Sequence, residues 1–476
     1  MHVGQRAAAG LSGSIRWLIF LLLLCDVDAQ AHLAGFEQHL PVAGHLDFDA
    51  VANLPSAHDY DRSLWSSSTE VNHARAEQAG LTAEVVTVIS TPLNSTSLCF
   101  LVESAVRQGY RVTVLTIPKK LYSNHEKERL SSYYGRLQRE RILQEQLGVA
   151  NPRFNLANYT KLDLLALVRS SSNRHDETNK QTEKALVEYL VAHPHLYLFA
   201  DAFDVLVQLS PIELHKRVRA NWPVEGDTEE FFIVSGEANQ WPQLKSNVYY
   251  PDRSQSLFPF VNSGMWVARL DRMISFTEHI SNATFKDCQN YLLSFSDQCK
   301  MMIAVSDPAR RFTEFPVHRD VNATTLQSMA AAPDRRKKDG LSSKYKSFHA
   351  AVHLGMTPEG LISRRDIPST PLALHWNGKA KGFNPYQQTV SVNTTAVDLA
   401  VYTSLGWMRR PISPGGERPF YFHVTHAELK KYLTFYDENL QVSTVLLEGF
   451  FQMCTSDLGS TFKWDDTLLE YPQKAA

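Results

Sequence analysis

The chain has 476 residues, 43% hydrophobic and 21% charged, an ordinary globular composition. That length accommodates one large α/β domain with extensions, or several average domains. A formal net charge of −2 excludes an overall positive field that would draw the chain to nucleic acid or to an anionic membrane. The basic run Arg335 to Lys338 lies in a polar stretch and reads as a solvated loop.

At the N-terminus, Arg6 and Arg16 precede the apolar run "WLIFLLLLC" (Trp17 to Cys25), and Ala29 to Ala31 offers small residues for cleavage. The run is about half of what spans a bilayer, so residues 1–31 read as a signal peptide, with a short membrane anchor as the alternative. Either one routes the chain to the secretory lumen (ER or Golgi) or outside the cell, and membrane contact is expected only if the segment stays uncleaved. Five N-x-S/T sequons fit that compartment: Asn94, Asn158, Asn282, Asn322 and Asn393. Beyond the leader stand Cys99, Cys288, Cys299 and Cys454, which allow three pairings. Cys288–Cys299 is favoured as a local loop and Cys99–Cys454 is open, against a reading as buried thiols. No spacing suggests zinc.

Residues 32–80 are polar without a sustained period and are expected to form an irregular lead-in. "AEVVTVIST" (83–91) is a β-branched run that predicts a buried strand. "SLCFLVESAVRQGY" predicts a helix closed by Gly109, and "RVTVLTI" (111–117) predicts a second strand before Pro118. Strand, helix, strand is a βαβ unit with a parallel pair. Residues 119–150 are charge-rich and read as helical, 170–180 as a polar loop. The amphipathic "TEKALVEYLVAHP" predicts a helix stopped by Pro194. The segment "YLFADAFDVLV" (197–207) then reads as a strand interrupted by two acids. Further strands are predicted at 231–235 and 265–270, and a helix at 297–305. From about residue 390 the signal weakens, although "RPFYFHV" suggests order.

Burying even one unpartnered carboxylate costs several kcal/mol or shifts its pKa, so Asp201 and Asp204 need an explanation. Two hard oxygen donors beyond a strand end suit a divalent cation; a surface turn is the plainer alternative. Several downstream segments have the same character. "SGEANQWP" carries Glu237, Asn239 and Trp241, and "VNSG" carries Asn262, Ser263 and Gly264. "SFSDQ" contributes Asp297 and Gln298, and "HWNGK" contributes His375, Asn377, Gly378 and Lys379. Singly, each has a packing explanation. Their order and type as a set are much harder to explain as packing.

With D-x-x-D, E-x-x-x-W-P, N-S-G and H-x-N-G in that order over about residues 84–385, the chain resembles the glycosyltransferase domain of procollagen lysyl hydroxylases and the related collagen galactosyltransferases. The resemblance implies a GT-A-like, Rossmann-type α/β fold, a mixed sheet flanked by helices, over 81–390, with an irregular C-terminal extension over 391–476. It implies Mn²⁺ (Mg²⁺ as the alternative) and UDP-galactose or UDP-glucose as donor, with a protein or glycan acceptor of collagen-like type by analogy. Asp201, Asp204 and His375 would ligate the metal, and Phe203 would lie against the uracil. Ser90 and Thr91 would sit near the nucleotide, while Asn377, Gly378 and Lys379 approach the diphosphate. Glu237, Trp241 and Asn262 would line the sugar pocket, and Asp297 would stand on the acceptor side as the base if transfer inverts.

Two departures stand out. The family's acidic run before the glutamine is reduced to Ser296-Asp297, and "PKKLYSNHEKERL" replaces a glycine-rich stretch. The shortened acidic run gives footing to an alternative: a lumenal or secreted sugar-binding or scaffold protein that keeps the fold without turnover. A kinase, suggested by His318-Arg319-Asp320, is rejected, because Thr325 stands where the catalytic-loop asparagine belongs. A glycosidase is rejected because a metal clamp with His and Lys suits phosphate rather than a glycosidic bond.

Overall fold

The computed structural model describes residues 68–93, 97–170, 177–222, 231–237, 241–242, 258–288, 296–328, 354–356, 361–364, 369–377 and 424–460. The leader, the Arg335 to Lys338 run, Asn94, Asn393 and most of "RPFYFHV" lie outside the described residues.

The first strand, β1 (Thr82–Thr91), is buried along nearly its whole length. Val85 and Ile89 enter one hydrophobic cluster, Val86 and Val88 the other. That alternation puts apolar surface on both faces, and each fully buried valine contributes roughly 1.5–3 kcal/mol. Helix α2 (Ser97–Arg107) ends in a Schellman closure, with Gly109 at φ 97° and the Tyr110 N–H donating to the Ala105 carbonyl at 3.1 Å. A Cβ at Gly109 would lie 2.9 Å from the Asn72 carbonyl oxygen, so the turn also needs glycine for space. Strand β2 (Arg111–Pro118) then pairs parallel with β1, completing the expected βαβ unit.

Two local expectations need correction. Within the supposed irregular lead-in, Thr69–Gln78 is a helix, α1. Its buried face is polar: Asn72 donates to the Arg107 carbonyl at 2.7 Å, and His73 Nε2 lies 2.9 Å from the Val106 carbonyl. It caps the C-terminal carbonyls of α2, so hydropathy shows no period there. The supposed loop 170–180 is helical from Glu177, the first residue of a helix that runs to Ala192.

The remaining elements follow in order. Helix α3 (Asn124–Arg141) is capped by the Ser123 hydroxyl, which accepts from Glu126 N–H. Next come α4 (Lys161–Ser170), α5 (Glu177–Ala192), β3 (His195–Ala200) and β4 (Val205–Val207). Helix α6 (Pro211–Asn221) has proline at its first turn and the Ser210 cap before it. Then follow β5 (Phe232–Glu237), β6 (Phe260–Ala268), α7 (Leu270–Asn282), α8 (Asp297–Ser306), β7 (Val317–Asp320) and β8 (Leu326–Ser328). A separate antiparallel pair is β9 (Leu354–Met356) with β10 (Ile362–Arg364). The chain closes with β11 (Ala373–His375), α9 (His426–Tyr432), β12 (Leu433–Tyr436) and α10 (Thr444–Ser460).

Among the described residues these strands form a mixed ten-stranded sheet in the order β12-β2-β1-β3-β6-β5-β8-β11-β4, with β7 beside β5. Strands β12, β2, β1 and β3 run parallel; β6 runs against β3 and β5; β7, β8 and β11 run with β5, and β4 runs against β11. The order forces a curl. Lying flat, β3 and β4 would be five strand spacings or about 24 Å apart, yet the connecting segment, 201–204, lets them separate by at most about 18 Å. The sheet bends so that this short segment joins its middle to its far edge.

Two disulfides brace the fold. Cys99–Cys454 ties α2 to α10 with Cα atoms 5.7 Å apart, and Cys288–Cys299 closes a short loop at 5.9 Å onto the first turn of α8. Both pairings considered from the sequence are present. Strand β12, far along the chain, is an edge strand of the same sheet as β1.

Candidate functional site

The directions of the strands bring one set of ends together. The C-terminal ends of β1, β3, β5, β8 and β11 share an edge of the sheet with the N-terminal ends of the opposed strands β4 and β6. Asp201 follows β3, Asp204 precedes β4, Glu237 ends β5, Asn262 lies near the start of β6, Ser328 ends β8 and His375 ends β11. Open α/β sheets gather ligands at that edge.

The segment 201–204 is pinned at both ends by backbone. Asp201 N–H donates to the Gly264 carbonyl and Trp376 N–H to the Asp204 carbonyl, each at 2.8 Å. The two carboxylates therefore converge on His375. Its Nε2 lies 3.3 Å from Asp204 Oδ1 and 3.6 Å from Asp201 Oδ2. One ligand atom from each of the three falls within 4.8 Å of the others, so the group can hold a metal ion. Asp204 and His375 are buried and Asp201 is half-exposed, leaving one open side.

Local backbone geometry makes room for this group. The pairing of β5 with β6 slips between Val234 and Ser235, and Ser263, Gly264 and Met265 bulge out of register. A Cβ at Gly264 would come within 2.1 Å of His375 Cε1 and 2.8 Å of Asp201 Oδ2. Only glycine fits against the imidazole. Glu237 and Asn262 were expected just outside their strands; both are on them, because the ladders continue into the site.

Behind the triad, hydrogen bonds fix every partner. His375 Nδ1 lies 3.0 Å from Asn262 Oδ1, which also accepts from Gly264 N–H at 2.9 Å. Asn262 Nδ2 donates to Glu237 Oε2 at 3.0 Å. Gln298 donates to the same oxygen at 2.9 Å, and Asn377 to Oε1 at 2.8 Å. Glu237 is thus the buried hub of three amides. Burial raises its pKa, opposed by the Asn262 and Gln298 hydrogen bonds and by His375. For His375, burial works against the charged ring, but Asp204, then Asp201 and Glu237, outweigh it and raise the pKa. Asp204 and Asp201 beside one imidazole favour positive charge at the group, which a ring proton or a metal held by all three could supply.

One participant has no counterpart in the sequence reading. Lys127, in the first turns of α3, is buried and crosses the Phe199 ring at 4.9 Å. Its Nζ donates to Asp201 Oδ1 at 2.5 Å and to Asp297 Oδ2 at 3.4 Å. Burial opposes its charge; Asp201, Asp297 and Tyr122 override burial and raise its pKa. Nothing in "SNHEKER" separates this lysine from its solvated neighbours. The next residue, Glu128, meets Lys300 of α8 at 3.0 Å. Burial pushes the Glu128 carboxyl up to about 8, with Lys300 opposing and Asp297 adding to the shift.

Asp297 begins α8, and both its oxygens are engaged. Oδ1 accepts from the Ser263 hydroxyl at 3.0 Å and from Gln298 N–H at 2.7 Å, while Oδ2 faces Lys127. Trp241 is 58% exposed, its carbonyl held by Gln298 Nε2 at 2.7 Å. Ser90 and Thr91 end β1 half-buried, and Phe203 packs partly buried against the core beside the triad. Asn239, Gly378 and Lys379 lie outside the described residues. The kinase-like Asp320 is buried and structural, its carboxylate accepting from the N–H groups of Thr324, Thr325 and Leu326.

Neither a scan against protein-family models nor a search of curated proteins finds a match for the chain.

Proposed function

We propose that this protein is a metal-dependent glycosyltransferase of GT-A type, moving galactose or glucose from a UDP-sugar to a protein or glycan acceptor in the secretory pathway. The observation that carries the reading is the Asp201–Asp204–His375 group on the ligand-binding edge of a mixed α/β sheet. Its two carboxylates and one imidazole suit Mn²⁺ ahead of Mg²⁺. When bound there, a divalent cation stabilises the charge that develops on a departing diphosphate. Asp201 and Asp204 hold the donor end in place, and Asn262 and Glu237 orient His375 from behind. Exposed Trp241 offers an aromatic face to a sugar or acceptor at the rim. Asp297, with both oxygens engaged, reads here as an anchor of the acceptor side more than as an unoccupied base. The two disulfides and the exposed sequons Asn158, Asn282 and Asn322 are in keeping with a lumenal compartment. No helix among the described residues is long and apolar enough to cross a membrane.

The test is release of UDP from UDP-galactose and UDP-glucose with Mn²⁺, across a panel of peptide and sugar acceptors. Wild-type protein is expected to release UDP and to lose that activity with chelator. Release no greater than from an Asp201→Ala/Asp204→Ala double variant would sink the reading and leave the non-catalytic sugar-binding alternative.

A further inference from the structure

On its other side from His375, Asp201 meets charges organised by a pair of helices. On α3, Lys127 reaches Asp297 of α8; at the next position Glu128 reaches Lys300 of the same helix. The two helices are cross-linked twice, with the lysine and the acid exchanged between them. Lys300 also donates to the Ile280 carbonyl at 3.2 Å, and Cys299 of α8 is fixed by its disulfide. This frame leaves Lys127 Nζ little freedom except to shift between two carboxylate oxygens, Asp201 Oδ1 and Asp297 Oδ2. Asp201 in turn divides its oxygens: Oδ1 meets Lys127 and Oδ2 faces His375.

We infer that Lys127 is a metal-responsive counter-ion, a positioning residue that neutralises Asp201 when the triad holds no cation and moves its charge toward Asp297 when a divalent cation arrives. The inference rests on the proposed metal site and adds a coupling from that site to the acceptor side. Two cations sharing one carboxylate repel each other, so a divalent ion at Oδ2 weakens the hold of Oδ1 on the ammonium. Asp297 Oδ2, 3.4 Å from the ammonium, is an acceptor already within reach. Metal occupancy at one end of the site is thereby transmitted to a carboxylate on α8, whose own position is set by Ser263 and the helix N-terminus.

The coupling has a signature that a plain structural ion pair lacks. Removing the lysine charge takes away the competitor of the metal, so Lys127→Met is expected to bind Mn²⁺ about tenfold more tightly than wild type. The same variant should turn over more slowly, because Asp297 loses its partner. Lys127→Gln should behave like Lys127→Met, whereas Lys127→Arg keeps the charge and should stay near wild type. In a double-mutant cycle, Asp297→Asn should weaken Mn²⁺ binding more in wild type than beside Lys127→Met, since only wild type has an ammonium to fall back on Asp201. Mn²⁺ is titrated into the full chain and the unbound ion is read by its electron paramagnetic resonance signal, with thermal melts as the folding control. If wild type binds Mn²⁺ and both charge-removing variants bind it equally or more weakly, the coupling is overturned and the metal site stands. If wild type binds none, the metal site falls and the coupling with it. Should both variants fail to fold, Lys127 is a structural ion-pair residue and the proposal fails.

Discussion

Strand β3 begins at a histidine and leads into an aspartate, and its two ends differ instructively. At the start, His195 Nδ1 lies 2.8 Å from the Thr82 hydroxyl and its Nε2 lies 3.9 Å from Glu84 Oε2. Glu84 also accepts from the Tyr134 hydroxyl at 2.5 Å. At the far end, His375 faces Asp201 and Asp204. Both ends place an imidazole beside carboxylate, so proximity alone does not distinguish them. What differs is the balance. The His195 end has one acid, satisfied by a neutral hydroxyl, among residues that are neighbours in the β1–β3 ladder. The His375 end draws two acids and an imidazole from three separate strand ends, and holds them against a bulge that only glycine fills. Excess negative charge, converging from distant segments onto a half-open space, is what marks a cation site.

The largest effect expected from breaking this contrast is at Asp204. Asp204→Asn removes one of two anionic donors in a buried position and should weaken Mn²⁺ binding by about a thousandfold or more, read by metal titration. Next comes the bulge: Gly264→Ala drives a methyl into His375 and should cost about a hundredfold in Mn²⁺ affinity. The melting temperature should fall modestly, as for ordinary overpacking of about 1–3 kcal/mol.

A third histidine sharpens the comparison from the side of stability. His73 stacks on Tyr432 at 3.4 Å between ring centroids, and burial depresses its pKa to about 4, helped by Arg111 and Lys431. Between that value and about 6.5 the unfolded chain binds a proton that the folded one refuses. Stability is therefore complete above about 6.5 and declines as pH falls toward 4, by about 2–3 kcal/mol from this group. Denaturant unfolding of His73→Gln across that window should show a correspondingly flatter profile. The smallest effect belongs to the quiet end of β3. His195→Gln should leave Mn²⁺ affinity within about twofold and cost about 1 kcal/mol of stability, as the loss of one hydrogen bond does. A large drop in metal binding there would dissolve the distinction between the two ends.

How much of this was legible in the sequence follows from the same contrast. Asp201 and Asp204 stood out because acids interrupt an apolar run, and β1, α2 and β2 because both faces of the strands are apolar and Gly109 marks the turn. His375, Asn262 and Glu237 were found through their order along the chain. The face of α1 was hidden because three of its four buried residues, Thr69, Asn72 and His73, are polar, and Asn72 and His73 meet carbonyls of α2. Leu270 was placed in a strand, yet it opens α7, because an apolar residue at an element boundary fits either neighbour. Lys127 was hidden for a different reason. Its partners are Asp201 and Asp297, one 74 and the other 170 residues away, and no local pattern records a partner that distant.

Those separations also bear on when the site comes into being. Asn262 meets His375 across 113 residues, and Asn377 meets Glu237 across 140. Contacts of such long range form only after their loop-closure entropy has been overcome. On a ribosome that delivers the chain from its N-terminus, β1, α2 and β2 can begin to pack long before β11 exists. Asp201 and Asp204 therefore emerge well ahead of the imidazole that completes them, and Lys127 is the cation already made by then. The partner cation of Asp201 is thus synthesised before it, while the three-residue group that could hold a metal is complete only once His375 has been made.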